Sequence, residues 1–204
     1  MTRLAPSGQL FLPELMMIAE TAVAAAGVLR DRLGSGGDAS DYERDLEARA
    51  RTARALAAAV MTGATQALVT PIDREDAARL ASRLREVVDA AHRVCALADA
   101  INPALPDAWV AHLADLLVDA ADSLEGAALT VTDRSRALDF AAEVRRLERR
   151  GDRAYTEAMG ALLTDAPDSL DALRQSGMYR ALRESLRGCG AAAALVERIV
   201  LKRF

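Results

Sequence analysis

Apolar residues recur at alternating spacings of four and three in the stretch from residue 80 to residue 101. Such spacing places an apolar stripe along an α-helix that packs lengthwise on other helices. The stripe consists of Leu80, Leu84, Val87, Ala91, Val94, Ala98 and Ile101. Upstream, Pro71 breaks the preceding segment, Asp73 suits an N-cap, and Asp76 stands where an acidic side chain reaches back toward the cap. The pattern predicts a helix from about Asp73 to Ile101.

Similar helical stripes mark the other segments, and none shows the alternation of a strand. Breaks rich in glycine or proline separate them, chiefly at residues 34–38 and 102–106. The other predicted helices run from about Leu10 to Leu33, Ser40 to Ala67, Asp107 to Leu129, Asp133 to Leu163 and, after a turn that follows Pro167, Met178 to Leu201. The fold class is therefore predicted to be all-α, with six helices.

Short sequence matches relate the two halves of the chain. Leu46-Glu47 matches Leu147-Glu148, and Leu84-Arg85-Glu86 matches Leu182-Arg183-Glu184, at offsets of about one hundred residues. These matches predict a single domain over residues 1–204, with an internal repeat of residues 1–102 (helices 1–3) and 106–204 (helices 4–6). Each half would be a three-helix bundle, and the two similar bundles would pack together. Chance recurrence of short strings in arginine-rich helices is the alternative.

Composition limits the partners of the chain. Its net charge of −4 gives no overall basic field, which argues against nucleic acid as a partner. Apolar residues make up 51% and aromatic residues 3%, as in closely packed alanine-rich helices, and two cysteines fit a reduced cytosolic setting. The apolar runs at residues 57–60 and 191–196 are far shorter than the ~20 residues that span a membrane, so no spanning segment is expected. No Ser–His–acid motif is recognisable, so no catalytic residue is predicted.

Three stretches resemble the PhoU-like phosphate transport regulators, in particular the branch that accompanies Pit-type inorganic phosphate transporters. The first contains Thr70-Pro71-Ile72-Asp73-Arg74-Glu75-Asp76, the second runs from Val144 through Glu148 to Tyr155, and the third runs from Tyr179 through Cys189 to Lys202. The resemblance covers nearly the whole chain in order. It implies two similar three-helix bundles and a cytosolic partner of a phosphate transporter rather than an enzyme.

The resemblance also implies metal sites, since members of the wider family often bind metal through pairs spaced Glu/Asp-x-x-x-Asp. Residues four apart share a helix face, so that pairs on two helices can surround a cation with oxygen ligands. The matching positions here are Glu47/Arg51, Arg85/Asp89, Glu148/Asp152 and Arg183/Arg187, and only Glu148/Asp152 is intact.

Arginine at three of these four pairs changes the expected chemistry. Each pair follows a leucine of the apolar stripe, so we expect the pairs to face one another across helices 2 and 3 and across helices 5 and 6. Our hypothesis is that ion-pair networks have replaced the metal sites, because guanidinium groups pair with carboxylates in two-point contacts and repel a cation. The alternative is ordinary surface charge pairs at i,i+4 spacing. Both argue against a bound metal or other cofactor, and a divalent or iron-type metal is disfavoured.

These observations favour a non-enzymatic regulator that docks on an inorganic phosphate transporter from the cytosolic side. Its expected location is the cytoplasm, with peripheral association at the inner face of the membrane. A metal-binding or metal-buffering protein and a self-associating helical scaffold are the alternatives. Monomer and homodimer are both compatible with the sequence.

Overall fold

The computed structural model describes residues 11–34, 39–66, 72–103, 105, 107–165 and 168–203. Its elements are α1 (Leu12–Gly34), α2 (Ala39–Gln66), α3 (Arg74–Ile101), α4 (Ala108–Leu129), α5 (Arg134–Asp165) and α6 (Ser169–Arg203). The described residues contain no strand. Over these described ranges, the prediction of an all-α fold with six helices is confirmed. The predicted features at Leu10, residues 35–38, Ala67, Thr70, Pro71, Ala104, Pro106 and Pro167 lie outside the described residues.

The apolar stripes form the core of the structure. Leu80, Leu84, Val87, Ala91, Val94 and Ala98 of α3 are buried, and so are Met178, Leu182, Ser185, Cys189, Ala192, Val196 and Ile199 of α6. Asn102 ends α3 in the left-handed region at φ 45° and donates its backbone N–H to the oxygen of Ala98, and Pro103 follows it. The alternating spacing thus identifies the buried faces of α3 and α6.

The helix contacts describe two three-helix groups that share a centre. Helices α1, α2 and α3 contact one another, as do α4, α5 and α6, and the two groups meet through α1 with α4 and α3 with α6. The helices α1, α3, α6 and α4 therefore form the centre, while α2 and α5 lie outside it. An internal duplication would produce this arrangement, and the repeat itself stays a prediction.

The start of α6 differs from its prediction. We expected Met178, but the helix begins at Ser169, where Asp168 accepts a hydrogen bond from the backbone N–H of Leu170 at 2.9 Å. The first turns of α6 carry Leu170 and Leu173, which are largely exposed. Without a buried stripe, the spacing rule could not detect these turns.

Helix α1 is the one described helix that is long and apolar enough to cross a membrane, judged by length and composition only. The expectation that no segment spans a membrane rested on residues 57–60 and 191–196 and left α1 out. In the structure α1 contacts α2, α3 and α4, and one side of it is buried. This packing accounts for its apolar character.

Asp107 couples the start of α4 to α6. Its carboxylate accepts the backbone N–H of Val110 at 2.7 Å and the hydroxyl of buried Tyr179 at 3.1 Å. We expect Asp107→Ala to lower the free energy of unfolding by about 2–3 kcal/mol, because it removes a cap and leaves a buried hydroxyl unpaired. Asp133→Ala is the matched control, since that side chain caps α5 with a single contact, to Arg136. Urea unfolding measures both, and equal losses would contradict the added role of Tyr179.

Acidic side chains crowd the junction of α1 and α4. Burial raises the pKa of Glu125, and the charges of Glu20 and Asp122 raise it further. A raised pKa means that the ionised carboxylate destabilises the folded state at neutral pH and that this cost disappears as the pH falls through the folded pKa. We expect Glu125→Gln to raise stability at neutral pH by a few tenths of a kcal/mol and the gain to vanish near pH ~4. Melting curves across this pH range test the prediction, with Glu157→Gln on the exposed face of α5 as control.

Candidate functional site

The acidic motif at the start of α3 contacts the end of the chain. Asp73 is the N-cap of α3 and accepts the backbone N–H of Glu75 at 2.9 Å. Asp76 is only 4% exposed, and its carboxylate accepts a hydrogen bond from Lys202 Nζ at 3.1 Å. Lys202 Nζ also lies 3.7 Å from Asp73. The motif therefore ties the start of α3 to the last turn of α6.

One expectation for this motif needs correction. Asp76 was expected to reach back toward the cap, but its carboxylate turns to Lys202 and Arg79 instead. The partner lies 126 residues away, so local spacing could not reveal it.

The hydrogen bond to the backbone of Glu75 lowers the pKa of Asp73, and the hydrogen bond to Asp76 raises the pKa of Lys202. Of the other motif residues, Arg74 is exposed and Glu75 pairs with Arg79 at 3.1 Å.

In the first half, the predicted positions form two separate groups. Asp89 is 8% exposed and receives hydrogen bonds from Arg85 of its own helix at 2.5 Å and from Arg54 of α2 at 3.0 Å. Glu47 and Arg51 pair with each other at 3.2 Å on the exposed surface of α2. The expected grouping of all four residues is therefore wrong, because Arg54 takes the place across from Asp89. Arg54 follows Ala53 of the apolar stripe, so the rule that selected Glu47 after Leu46 could have marked Arg54 as a candidate, although not its pairing with Asp89.

In the second half, Asp152 is the centre of an ion-pair network. Arg183 Nε donates to Asp152 at 2.6 Å, and the guanidinium of Arg187 lies 3.2 Å from the same oxygen. The guanidinium of Arg183 also stacks over the ring of Tyr155 at 4.5 Å, a contact that was not predicted from the sequence. One carboxylate of α5 thus holds two arginines of α6.

Glu148 lies beside this network without a described ion pair of its own. Its carboxylate packs against the backbone of Gly190, where an added Cβ would collide with it. Burial raises the pKa of Glu148, and the charge of Asp152 adds to the increase, while Arg187 opposes it. Of the four residues predicted here, three are brought together as an ion-pair network and Glu148 is their half-buried neighbour.

These groups do not fit a metal ion. The carboxylates of Asp89 and Asp152 are each held by two arginines, which would repel a divalent cation. Within the described ranges, no group of three or more His, Cys, Asp or Glu side chains could hold a metal. The residues at these positions can bind a partner through their charges, but they lack a free set of oxygen ligands for a metal ion.

Comparison with solved structures places this architecture among known folds. The crystal structure of a PhoU-like protein from Shewanella oneidensis MR-1 superposes with a TM-score of 0.76 and covers 94% of this chain and 99% of that chain. This chain has the PhoU-like fold. Sequence identity is 14%, so the likeness concerns the fold alone. No protein-family model and no curated protein matches the sequence.

Proposed function

We propose that this chain is a cytosolic, non-enzymatic accessory protein of inorganic phosphate transport that acts by binding a Pit-type phosphate transporter. The similarity to a PhoU-like protein over nearly the full length of both chains carries the proposal. The three sequence stretches that resemble the Pit-associated branch support the finer assignment. Two of them, at the start of α3 and the end of α6, meet through the contact of Asp76 with Lys202.

The burial of the two cysteine thiols and the pairing of the carboxylates with arginines agree with a protein that acts by binding. Cys95 and Cys189 are fully buried, and burial raises the pKa of their thiols to about 11 and about 12. Neither thiol supplies a thiolate nucleophile at neutral pH. The metal-buffering alternative is disfavoured because arginines occupy the carboxylates that would serve as ligands.

An affinity pull-down from detergent-solubilised membranes of the host tests the proposal. The tagged full-length chain is the bait, the tag alone is the control, and cells are grown with and without phosphate starvation. We expect mass spectrometry to identify an inorganic phosphate permease with the chain and not with the tag. Recovery of the chain without a membrane partner in either condition would contradict the proposal and favour the self-associating scaffold.

A further inference from the structure

A groove of about 430 Å³ runs along the outer side of the junction between α3 and α6. The two helices are antiparallel there, since Asp76 meets Lys202 while Gly177 lies near Ile101. The residues that line it include Arg79, Arg83 and Glu86 of α3 and Ala191, Ala194 and Arg198 of α6. Both alanines are exposed and small, so a further helix can approach the backbone of α6 closely.

The charge of this groove is opposite to that of the chain. Three arginines face one glutamate in the groove, whereas the whole protein carries a net charge of −4. Arg83 pairs with Glu86 at 2.8 Å, and Arg79 pairs with Glu75. Arg198 has no ion pair with any residue that the structure describes. The groove is therefore a local basic surface with a guanidinium free to meet a carboxylate.

The opposite side of the molecule is acidic. Because α1 and α6 each contact both α3 and α4, the α1/α4 junction lies across the centre from the α3/α6 groove. Helix α4 carries Asp115, Asp119, Asp122 and Glu125 and contains no lysine or arginine. The cytoplasmic surface of a membrane is negatively charged, so a chain bound to a transporter there would be repelled on its α4 side and attracted on the side of the groove.

We propose that this α3/α6 groove binds an acidic helical segment on the cytosolic side of the phosphate transporter. The proposal rests on the function proposed above and names its docking surface. The exposed alanines admit a helix, the arginines pair with its carboxylates in two-point contacts, and the acidic α4 side orients the groove toward the membrane. A groove open to solvent and wider than a small anion suits a protein segment better than free phosphate.

Site-specific photocrosslinking maps the contact. Benzoylphenylalanine replaces Ala194 in the groove or, as control, exposed Ala58 on α2, and each full-length chain is illuminated with detergent-solubilised host membranes. We expect the chain labelled at position 194 to crosslink to an acidic cytosolic segment of a phosphate permease and the chain labelled at 58 to give no such adduct. An adduct with α4 of a second copy of this chain, with lipid, or with a permease only from position 58 would overturn the proposal.

Charge reversal in the groove distinguishes an incorrect docking surface from an incorrect function. We expect the triple variant Arg79→Glu, Arg83→Glu, Arg198→Glu to reduce permease recovery by about tenfold or more. The triple variant Arg44→Glu, Arg136→Glu, Arg146→Glu makes the same charge change on the exposed faces of α2 and α5 and should retain recovery. Circular dichroism melting checks that both variants fold. Equal permease recovery by the two folded variants would contradict the proposed docking surface but not the proposed function. Absence of a permease with the unaltered chain would contradict both proposals.

Discussion

Gly151→Ala and Leu186→Ala should each destabilise the protein, and the double variant should lose much less than their sum. An added Cβ at Gly151 would lie 2.5 Å from Cδ1 of Leu186, which is fully buried between α5 and α6. Gly151→Ala therefore overpacks this contact, and we expect a loss of about 1–2 kcal/mol after the gain in helix propensity. Leu186→Ala leaves a cavity and should lower the free energy of unfolding by about 2–5 kcal/mol.

The double variant tests the contact itself. Once Leu186 is truncated, the methyl group at position 151 enters the vacated space, so Gly151→Ala should be neutral or stabilising in that background. Gly160→Ala is the matched control, because nothing lies within 4 Å of its added Cβ on the same helix. We expect it to raise stability by about 0.5–1 kcal/mol. Urea unfolding followed by circular dichroism measures all four variants, and additive losses at positions 151 and 186 would contradict the described packing.

Replacement of the two arginines around Asp152 by carboxylates should create affinity for a divalent cation. Arg183 and Arg187 both reach the carboxylate of Asp152. The change Arg183→Glu with Arg187→Asp places four carboxylates, including Glu148, on the facing sides of α5 and α6. Each close charge pair is worth on the order of 4 kcal/mol at moderate effective dielectric, so reversing two charges should raise cation affinity by several orders of magnitude.

Metal analysis after purification without chelator measures this change. We expect no stoichiometric transition metal in the unaltered chain and a bound metal in the double variant, and calorimetry with Mn²⁺ gives the difference in affinity. The control variant carries Arg44→Glu and Arg146→Asp, because both arginines lie on exposed faces away from the network. A stoichiometric metal in the unaltered chain that is lost in Glu148→Ala would contradict the hypothesis that ion pairs have replaced the metal sites.

Helix order and buried faces follow from the sequence because both depend on local periodicity. The stripe of α3 from Leu80 to Ala98 is buried as its spacing predicts. The first turns of α6 escaped prediction because Leu170 and Leu173 are exposed and show no stripe. Periodicity reports burial against neighbours, so it cannot detect a helical turn that extends beyond them.

The contacts of the candidate site follow less completely from the sequence. The intrahelical pair of Arg85 with Asp89 depends on i,i+4 spacing alone. The reach of Arg54 from α2 depends on the relative height of two helices, which sequence does not supply. The contact of Asp76 with Lys202 joins distant parts of the chain. The structure was therefore needed to identify side-chain pairs between helices, whereas the helix faces that carry these side chains follow from the sequence.

The initial rate of radiolabelled phosphate uptake in host cells tests the central claim most directly. Uptake is compared in cells that lack this chain, cells that regain it, and cells that regain the variant with glutamate replacing Arg79, Arg83 and Arg198. We predict that loss of the chain changes the uptake rate and that only the unaltered chain restores it. An uptake rate that is the same with and without the chain, in phosphate-rich and phosphate-starved cells, would contradict its role in phosphate transport.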